Sequence, residues 1–419
     1  MTTDSALRGF GSTAKKLGRQ LGSLPTFREN KSTPIHGWFS YTEGYSFDLV
    51  RGIFNSLPYV PKTILDPFSG SATTGVEAVF NGKKFQGYDI NPAMTLIADA
   101  KTTDAFLVAR MIQTGKLSSK EIQDALDAVC NHKPLITSVM KPIFPGKEYF
   151  SPGNLANVKK LRENIEHMED PALKNLFLAG LMSILVKCSM LKRSPDLKYR
   201  PENDRIRPNA VQEFRDVIGK VVQDISILPT KKIGKAKNYQ QTAKSLKCTT
   251  SESIDLIITS PPYLNGTNYI RNTKLELWIG GFLTKPEDIK NLRVDTISCS
   301  INSAQNTNLE FTGWQSINRT IKKVHANAYD KRIAPMVAHY FIDMSASLNE
   351  VSRVLKDRAR AFFVIGDSAF NGVHVPTHKH LVTIGESFGL KKLKSLKLRD
   401  RRSRSGLPLI EEIIEFEKV

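Results

Sequence analysis

Two prolines and a tyrosine directly follow an apolar stretch in the second half of the chain. The segment IDLIIT (254–259) is typical of a buried β-strand, and Ser260, Pro261, Pro262 and Tyr263 come immediately after it. Prolines fix the backbone and withhold N–H donors, so backbone carbonyls and the serine hydroxyl can face a ligand as acceptors. Such acceptors suit an exocyclic amino group, and a tyrosine ring offers a flat surface for base stacking. We expect this loop to hold an aromatic amine.

A loop of small residues follows an earlier strand. The sequence DPFSGSATT (66–74) joins the apolar residues Ile64 and Leu65 to a helical stretch. Gly70 lets a ligand approach the backbone closely, and the start of the next helix favours negative charge. Asp89 ends the following predicted strand about twenty residues further on, a spacing that suits a carboxylate accepting bonds from a ribose. This loop and Asp89 together predict a ligand that contains a ribose.

Both loops require a sheet that brings the ends of its strands together. Strand, loop and helix patterns alternate over residues 35–100 and again over 235–419, which predicts an α/β fold with a doubly wound, mainly parallel sheet. Ligands bind at the carboxyl ends of the strands in such sheets. Residues 101–234 predict a helical insertion, and residues 1–34 predict a basic flexible arm. Residues 295–330 predict a long polar loop or lid.

In these motifs the chain resembles the DNA amino-methyltransferases. DPFSGSATTGVEA, followed by YDINP and later by DLIITSPPY, is similar to the paired motifs of that family. Its members transfer a methyl group from S-adenosylmethionine to the exocyclic nitrogen of cytosine or adenine, and they share a Rossmann-like methyltransferase fold. The resemblance covers residues 35–100 and 235–419 and leaves the helical insertion unassigned.

The resemblance implies roles for residues of both loops. Residues 260–263 would hold the target amine, and the serine form of this loop is more frequent among N4-cytosine enzymes than among N6-adenine enzymes. The implied cofactor-binding residues are Trp38, Asp66, Phe68, Gly70, Ser71, Thr73, Thr74 and Asp89. Two positions depart from the family pattern. Ala72 replaces a usual glycine, where its methyl group could crowd the cofactor, and residues 241–248 (QTAKSLKC) lack the acid that usually contacts the cofactor's adenine.

The charge of the chain points to a polyanionic partner. Sixty Lys and Arg against 41 Asp and Glu give a formal net charge of +19, which attracts nucleic acid. Residues 192–208 predict a basic loop interrupted by prolines, and residues 391–404 form a second basic stretch. Both could contact phosphates. The predicted nucleic-acid contacts are Lys192, Arg193, Arg200, Arg271, Arg401 and Arg402. We expect double-stranded DNA as the partner, and an amino group in RNA is the alternative substrate. We expect recognition of the DNA sequence by the helical insertion (101–234) or by the loop at 295–330.

Other classes of protein are disfavoured. The four cysteines are widely spaced, so we expect no zinc site, no disulfide framework and no metal cofactor. None of them lies in either loop, which disfavours the thiolate mechanism of a carbon-5 cytosine methylase. We see neither an apolar run of about 18 residues nor a secretory signal, so we expect a cytoplasmic, nucleoid-associated protein and no membrane.

The sequence therefore predicts a site-specific, S-adenosylmethionine-dependent DNA methyltransferase that flips cytosine out of the duplex and methylates its N4. We expect it to be the protective half of a restriction–modification pair, whose endonuclease shares the site without necessarily binding this chain. The alternatives are an N6-adenine methyltransferase and a catalytically inactive relative that binds nucleic acid.

Overall fold

The computed structural model describes residues 26–41, 44–132, 143–144, 146–194, 196–301, 312–403 and 405–419. The strands in this part of the chain are β1 (Thr63–Asp66), β2 (Lys84–Tyr88), β3 (Leu191–Ser194), β4 (Asp196–Tyr199), β5 (Lys235–Tyr239), β6 (Ile254–Thr259), β7 (Leu355–Gly366), β8 (Ser368–Phe370), β9 (Val373–Val375), β10 (Leu390–Arg402) and β11 (Pro408–Lys418). Seven of these strands form one sheet in the order β10-β11-β7-β6-β1-β2-β5, while β3–β4 and β8–β9 form separate hairpins.

Strand directions confirm the predicted doubly wound, mainly parallel sheet. Strands β5, β2, β1, β6 and β7 run parallel to their neighbours, whereas β11 is antiparallel to β7 and β10 is antiparallel to β11. Both β10 and β5 are edge strands. An edge strand tolerates many lysines because one side of it faces solvent, which is why β10 looks like a charged loop in the sequence.

Helices cover both faces of the sheet. They are α1 (Phe47–Ser56), α2 (Thr73–Phe80), α3 (Pro92–Asp99), α4 (Ala105–Gln113), α5 (Ser119–Asn131), α6 (Pro152–Glu166), α7 (Pro171–Cys188), α8 (Ala210–Ser226), α9 (Tyr269–Asn272), α10 (Lys274–Ile279), α11 (Asp288–Val294), α12 (Gln315–Asn327), α13 (Ile333–Val354) and α14 (Thr377–Ser387). In β6, Leu256 and Ile258 pack with α1 residues, whereas Ile257 packs with α13 and α14. This alternation produces the continuous apolar sequence of a strand that is buried on both faces.

The predicted insertion contains α4 to α8 and the β3–β4 hairpin. Its apolar residues share one core with Val76 and Val79 of α2 and Met94 of α3. By length and composition α7 is apolar enough to cross a membrane, but 67% of it is buried inside the protein. Burial of this helix is typical of the core of a folded domain.

Two predicted loops contain regular structure. Helix α12 lies within 295–330, where Ile317, Ile321 and Val324 form its buried face. The β3–β4 hairpin begins at Leu191 and occupies the first part of 192–208. The prediction of a continuous loop was therefore wrong for both segments, although residues 302–311 lie outside the described part. Of the predicted N-terminal arm, residues 1–25 also lie outside it, and Glu29–Ser32 forms a short 3-10 helix.

Candidate active site

A cavity of about 390 Å³ lies at the carboxyl ends of β1, β2 and β6. The two loops singled out in the sequence, 66–74 and 260–263, both contribute to its lining. The first loop provides Phe68, Ser69, Ser71 and Thr73, β2 is followed by Asp89, and β6 is followed by Ser260, Pro261, Pro262 and Tyr263. The fold thus places the predicted amine-binding loop and the predicted ribose-binding carboxylate around a single space.

The loop between β1 and α2 is bent by two residues with positive φ. Gly70 has φ +48°, and a Cβ atom at this position would lie 2.9 Å from the ring of Tyr41. Ala72 has φ +61° and is fully buried, which costs an L-residue about 1–2 kcal/mol relative to glycine. Since its methyl group is packed inside the protein, Ala72 is placed behind the cavity lining.

The carboxylate of Asp89, directly after β2, binds the backbone of this loop. Its Oδ2 accepts from the Gly70 amide at 3.0 Å, and its Oδ1 accepts from the Asn91 amide at 2.8 Å. Burial raises the pKa of Asp89 from 3.8 to about 6. A carboxylate has about four lone-pair positions, so Asp89 retains acceptor capacity toward the cavity.

Asp66 joins the tips of β1 and β6 from behind the cavity lining. Its Oδ1 accepts from Thr259 Oγ1 at 2.6 Å and from the Phe68 amide at 3.0 Å, and its Oδ2 accepts from Tyr45 Oη at 2.9 Å. Tyr45 Oη also contacts the Thr74 hydroxyl. Burial raises the pKa of Asp66 to about 6. The structure thus engages Asp66 and Thr74, both predicted cofactor residues, in a buried network.

The backbone of the amine-binding loop is fixed by neighbouring tyrosines. The Pro262 carbonyl accepts from Tyr340 Oη at 3.0 Å, and the Tyr263 amide donates to Tyr269 Oη at 3.2 Å. The hydroxyl of Tyr263 interacts with the Ser260 side chain, and burial raises the pKa of Tyr263 above its usual range. Tyr263 therefore remains protonated at any physiological pH.

A wall formed by β7, β10 and β11 lies beside the ring of Tyr263. The guanidinium carbon of Arg401 is 5.6 Å from the centre of this ring. A Cβ atom on Gly366 would lie 2.4 Å from Arg401 Nη1 and 3.0 Å from the ring, so only glycine leaves space for both side chains. Glu411, which is 2% exposed, lines the same wall and binds Arg399 at 2.8 Å. Glu411 was not indicated by the sequence, because it is one of two consecutive glutamates in the strand-like segment 408–418 and no motif marks it.

Polar residues after the loop start a short helix. The Asn268 side chain accepts from the Arg271 amide at 2.9 Å and caps the N-terminus of α9. Arg271 is exposed beside the cavity-lining residues Tyr269 and Ile270. The contact of Arg271 with nucleic acid stays a prediction, and it would lie outside the cavity lining.

The other predicted nucleic-acid contacts occupy different environments. Arg193 lines the cavity and pairs with the buried carboxylate of Glu276. Arg200 binds the Leu191 carbonyl at 2.9 Å and the Asp204 carboxylate at 2.7 Å, so its guanidinium supports its own hairpin. Lys192 on β3 is half-buried, Arg402 at the end of β10 is exposed, and Arg401 lies in the cavity wall described above.

Trp38, a predicted cofactor residue, is placed away from the cavity lining. Its indole Nε1 donates to Asp224 Oδ2 of α8 at 2.7 Å, and its ring packs in the core shared with the insertion. The acid-free segment singled out in the sequence does line the cavity through Gln241, Thr242 and Ala243. Thr242 Oγ1 donates to the carbonyl of Asp295 at 2.8 Å, and Asp295 is a further lining residue that local sequence patterns did not indicate.

A buried lysine binds the backbone of the loop that contains Gly70. Lys101 is 1% exposed, and its Nζ donates to the Ser71 carbonyl at 2.7 Å. Burial lowers the pKa of Lys101 to about 7. No motif marks this residue in the sequence, because its partner lies thirty positions earlier.

Three histidines gather near the end of β7 without reaching the cavity lining. Asp367 binds His374 at 2.7 Å and His378 at 2.5 Å, while His380 lies 3.0 Å from Thr320. Burial lowers the pKa of His380 to about 4. Among the described residues, no group of three or more His, Cys, Asp and Glu side chains is arranged to hold a metal ion.

Similarity to known proteins extends over most of the chain, although no family model matches it. The chain is 25% identical to the Type II methyltransferase M.BsoBI of Geobacillus stearothermophilus, over 91% of this chain and 84% of that protein. It is 24% identical to the Type II methyltransferase M.AvaI of Nostoc sp., over 91% and 84% of the two chains. Identity to the Type II methyltransferase M.MvaI of Kocuria varians is 22%, over 82% and 79%.

Solved structures align with the chain at low scores. A SAM-dependent methyltransferase of Methanosarcina mazei gives a TM-score of 0.31 at 11% identity, over 88% of this chain and 96% of that chain. The rRNA methyltransferase AviRa of Streptomyces viridochromogenes gives 0.32 at 12% identity, over 93% and 92%. Because these scores are low, the fold is defined by the chain's own sheet order. That sheet has the Rossmann-like architecture predicted from the sequence, and the chain is similar to Type II methyltransferases over most of its length.

Proposed function

We propose that the protein transfers a methyl group from S-adenosylmethionine to N4 of cytosine in duplex DNA. The observation that carries this proposal is the shared cavity. Ser260 and Pro261, which suit an amine, line the same space as Asp89 and the loop around Gly70, which suit a nucleoside cofactor. A site that held only a nucleic acid would have no use for both.

The residues around Asp89 fit the cofactor. Asp89 can accept bonds from a ribose, and the small residues Ser69 and Ser71 line the space beside it. Ser69 Oγ is buried and has no hydrogen-bond partner among the residues that the structure describes, so it is a polar group to which a ligand can bind. When bound, S-adenosylmethionine supplies an electrophilic methyl group.

The amine-binding loop would prepare N4 of cytosine to attack the methyl group. The lone pair of N4 is delocalised into the cytosine ring, which makes the free base a poor nucleophile. The Ser260 hydroxyl and the Pro261 carbonyl accept the two amine hydrogens and draw N4 toward tetrahedral geometry, while the Pro262 carbonyl is already bound by Tyr340. Positioning of this kind is worth about 7–11 kcal/mol of a barrier. The methylated nitrogen then loses a proton to water.

Tyr263 would receive the base after it leaves the duplex. Flipping costs a few kcal/mol, and stacking on an aromatic ring returns about 1–3 kcal/mol per base. The exposed guanidinium of Arg271 lies one short helix away, where it can meet a phosphate. The net charge of +19 supplies the longer-range attraction to DNA.

The biological setting follows from the same proposal. The relatives are Type II methyltransferases, so we propose that this protein protects DNA within a restriction–modification system. It would act in the cytoplasm on nucleoid DNA, alongside an endonuclease that recognises the same sequence.

Nucleoside analysis tests the proposal directly. The protein is incubated with mixed-sequence duplex DNA and S-adenosylmethionine, and the digested nucleosides are identified by mass and retention. We expect N4-methylcytosine, with S-adenosylhomocysteine in place of the cofactor as the control. N6-methyladenine would retain the methyltransferase and overturn the base assignment. Methylation of RNA alone would overturn the DNA substrate, and no product together with no thermal shift by the cofactor would indicate the inactive relative.

A further inference from the structure

Arg401 occupies a position that a phosphate contact does not explain. Its guanidinium carbon is 5.6 Å from the centre of the Tyr263 ring, and the residue lines the cavity. Gly366 at the end of β7, which β11 separates from β10 in the sheet, leaves space for Nη1, because a Cβ atom there would be 2.4 Å away. The guanidinium thus lies over the ring of Tyr263, next to the place where the base would stack. The DNA backbone, in contrast, must remain outside the cavity when a base is flipped in.

The hydrogen-bonding capacity of Arg401 is incompletely used. Two residues away, Arg399 binds the buried carboxylate of Glu411 through Nε at 3.1 Å and Nη2 at 2.8 Å. Nη1 of Arg401 is buried, and among the residues that the structure describes it has no hydrogen-bond partner. A buried donor without a partner is costly, so the site is completed when a ligand brings an acceptor to this guanidinium.

We infer that Arg401 binds the N3 and O2 edge of the flipped cytosine and thereby selects cytosine over adenine. This inference rests on the proposed function. Next to its amino group, cytosine presents two acceptors, N3 and O2, which match the two parallel N–H groups of a guanidinium fork. Adenine presents only N1 beside its amino group, followed by a C–H group. With the amine held by Ser260 and Pro261, a guanidinium beside Tyr263 reads the rest of the Watson–Crick edge.

Binding to mispaired duplexes tests this assignment. The recognition sequence comes from the methylated products of the wild-type protein. Two duplexes then carry a mispaired cytosine or a mispaired adenine at the target position, so that flipping is easy in both. Affinity is measured with S-adenosylhomocysteine present, over a range of salt concentrations. The variants are Arg401→Met, Arg401→Lys, which keeps the charge without the fork, and Arg358→Met, which removes an exposed arginine at the opposite end of β7.

We expect both Arg401 variants to lose about 10- to 100-fold in affinity for the cytosine duplex, which is typical of a bidentate base contact. Their affinity for the adenine duplex should fall much less, and the salt dependence should not change. Arg358→Met should match the wild type. Cofactor binding, measured by calorimetry, should persist in all variants and confirms that they are folded.

Two results would overturn the inference. Equal losses on both duplexes with a smaller salt slope would make Arg401 a phosphate contact, and full rescue by Arg401→Lys would exclude the fork. These failures differ from failure of the proposed function, in which the wild-type protein itself forms no N4-methylcytosine.

Discussion

Replacing Asp66 with asparagine removes a buried charge from the junction of β1 and β6. Burial raises the pKa of Asp66 from 3.8 to about 6, so the folded protein binds this proton more tightly than the unfolded chain does. The stability that protonated Asp66 provides is therefore complete below about pH 4 and is lost as the pH rises through about 6. At about 1.4 kcal/mol per pH unit, the loss amounts to about 3 kcal/mol.

Asparagine resembles the protonated acid and does not ionise. Its carbonyl oxygen can still accept from Thr259 and the Phe68 amide, and Tyr45 Oη can turn toward the Ile258 carbonyl, which lies 3.4 Å away. We therefore expect the free energy of unfolding of Asp66→Asn, relative to wild type, to rise by about 3 kcal/mol between about pH 4 and about pH 7. Urea denaturation at several pH values measures this difference. Asp124→Asn on α5, an exposed position, controls for a general charge effect.

If the difference in free energy of unfolding between variant and wild type does not change over that pH range, burial does not raise the pKa of Asp66. A curve with the opposite sign would show that hydrogen bonds stabilise the carboxylate more than burial destabilises it.

Three further predictions concern the cavity and the exposed arginine beside it. Asp89→Asn should weaken cofactor binding, measured by calorimetry, at least tenfold. The affinity of the wild-type protein should fall as the pH drops through about 6, because the protonated acid is a poorer acceptor. Unchanged affinity in the variant would show that Asp89 does not bind the cofactor. Ser260→Ala and Tyr263→Ala should each reduce methylation at least a hundredfold while cofactor binding persists, and activity in both variants would contradict the amine-binding role. Arg271→Ala should weaken DNA binding equally across sequences and lower the salt slope by about one, as shown by anisotropy titrations; a sequence-dependent loss would indicate a base contact instead.

Local sequence patterns predicted the parts of the fold that consist of one strand and the loop after it. The β1 and β6 tips follow apolar runs and contain glycine or proline, so both loops could be located from neighbouring residues alone. Their meeting in one cavity followed from the rule that parallel strands present their carboxyl ends at one edge. Helix α12 carried a readable signal too, because Ile317, Ile321 and Val324 have helical spacing, but polar composition obscured it.

Long-range pairing explains what the sequence did not predict. Trp38 donates to a carboxylate 186 positions away, and Lys101 supports a loop through a carbonyl thirty positions away. Arg401 is one basic residue among many in its stretch, and only the register of β10 beside β11 and β7 places it next to Tyr263. No pattern within a short window contains that information.

Helices α2 and α3 share one hydrophobic core with the insertion. This limits which segments could be exchanged between this chain and its relatives by recombination. Leu176, Phe177 and Leu181 of α7 pack in the same core as Val76 and Met94. Removing residues 101–234 would leave that apolar surface open to water, and a foreign segment would have to match its shape. Under the proposed function, new sequence specificities should therefore arise more readily by point substitution in surface loops than by recombination of whole modules.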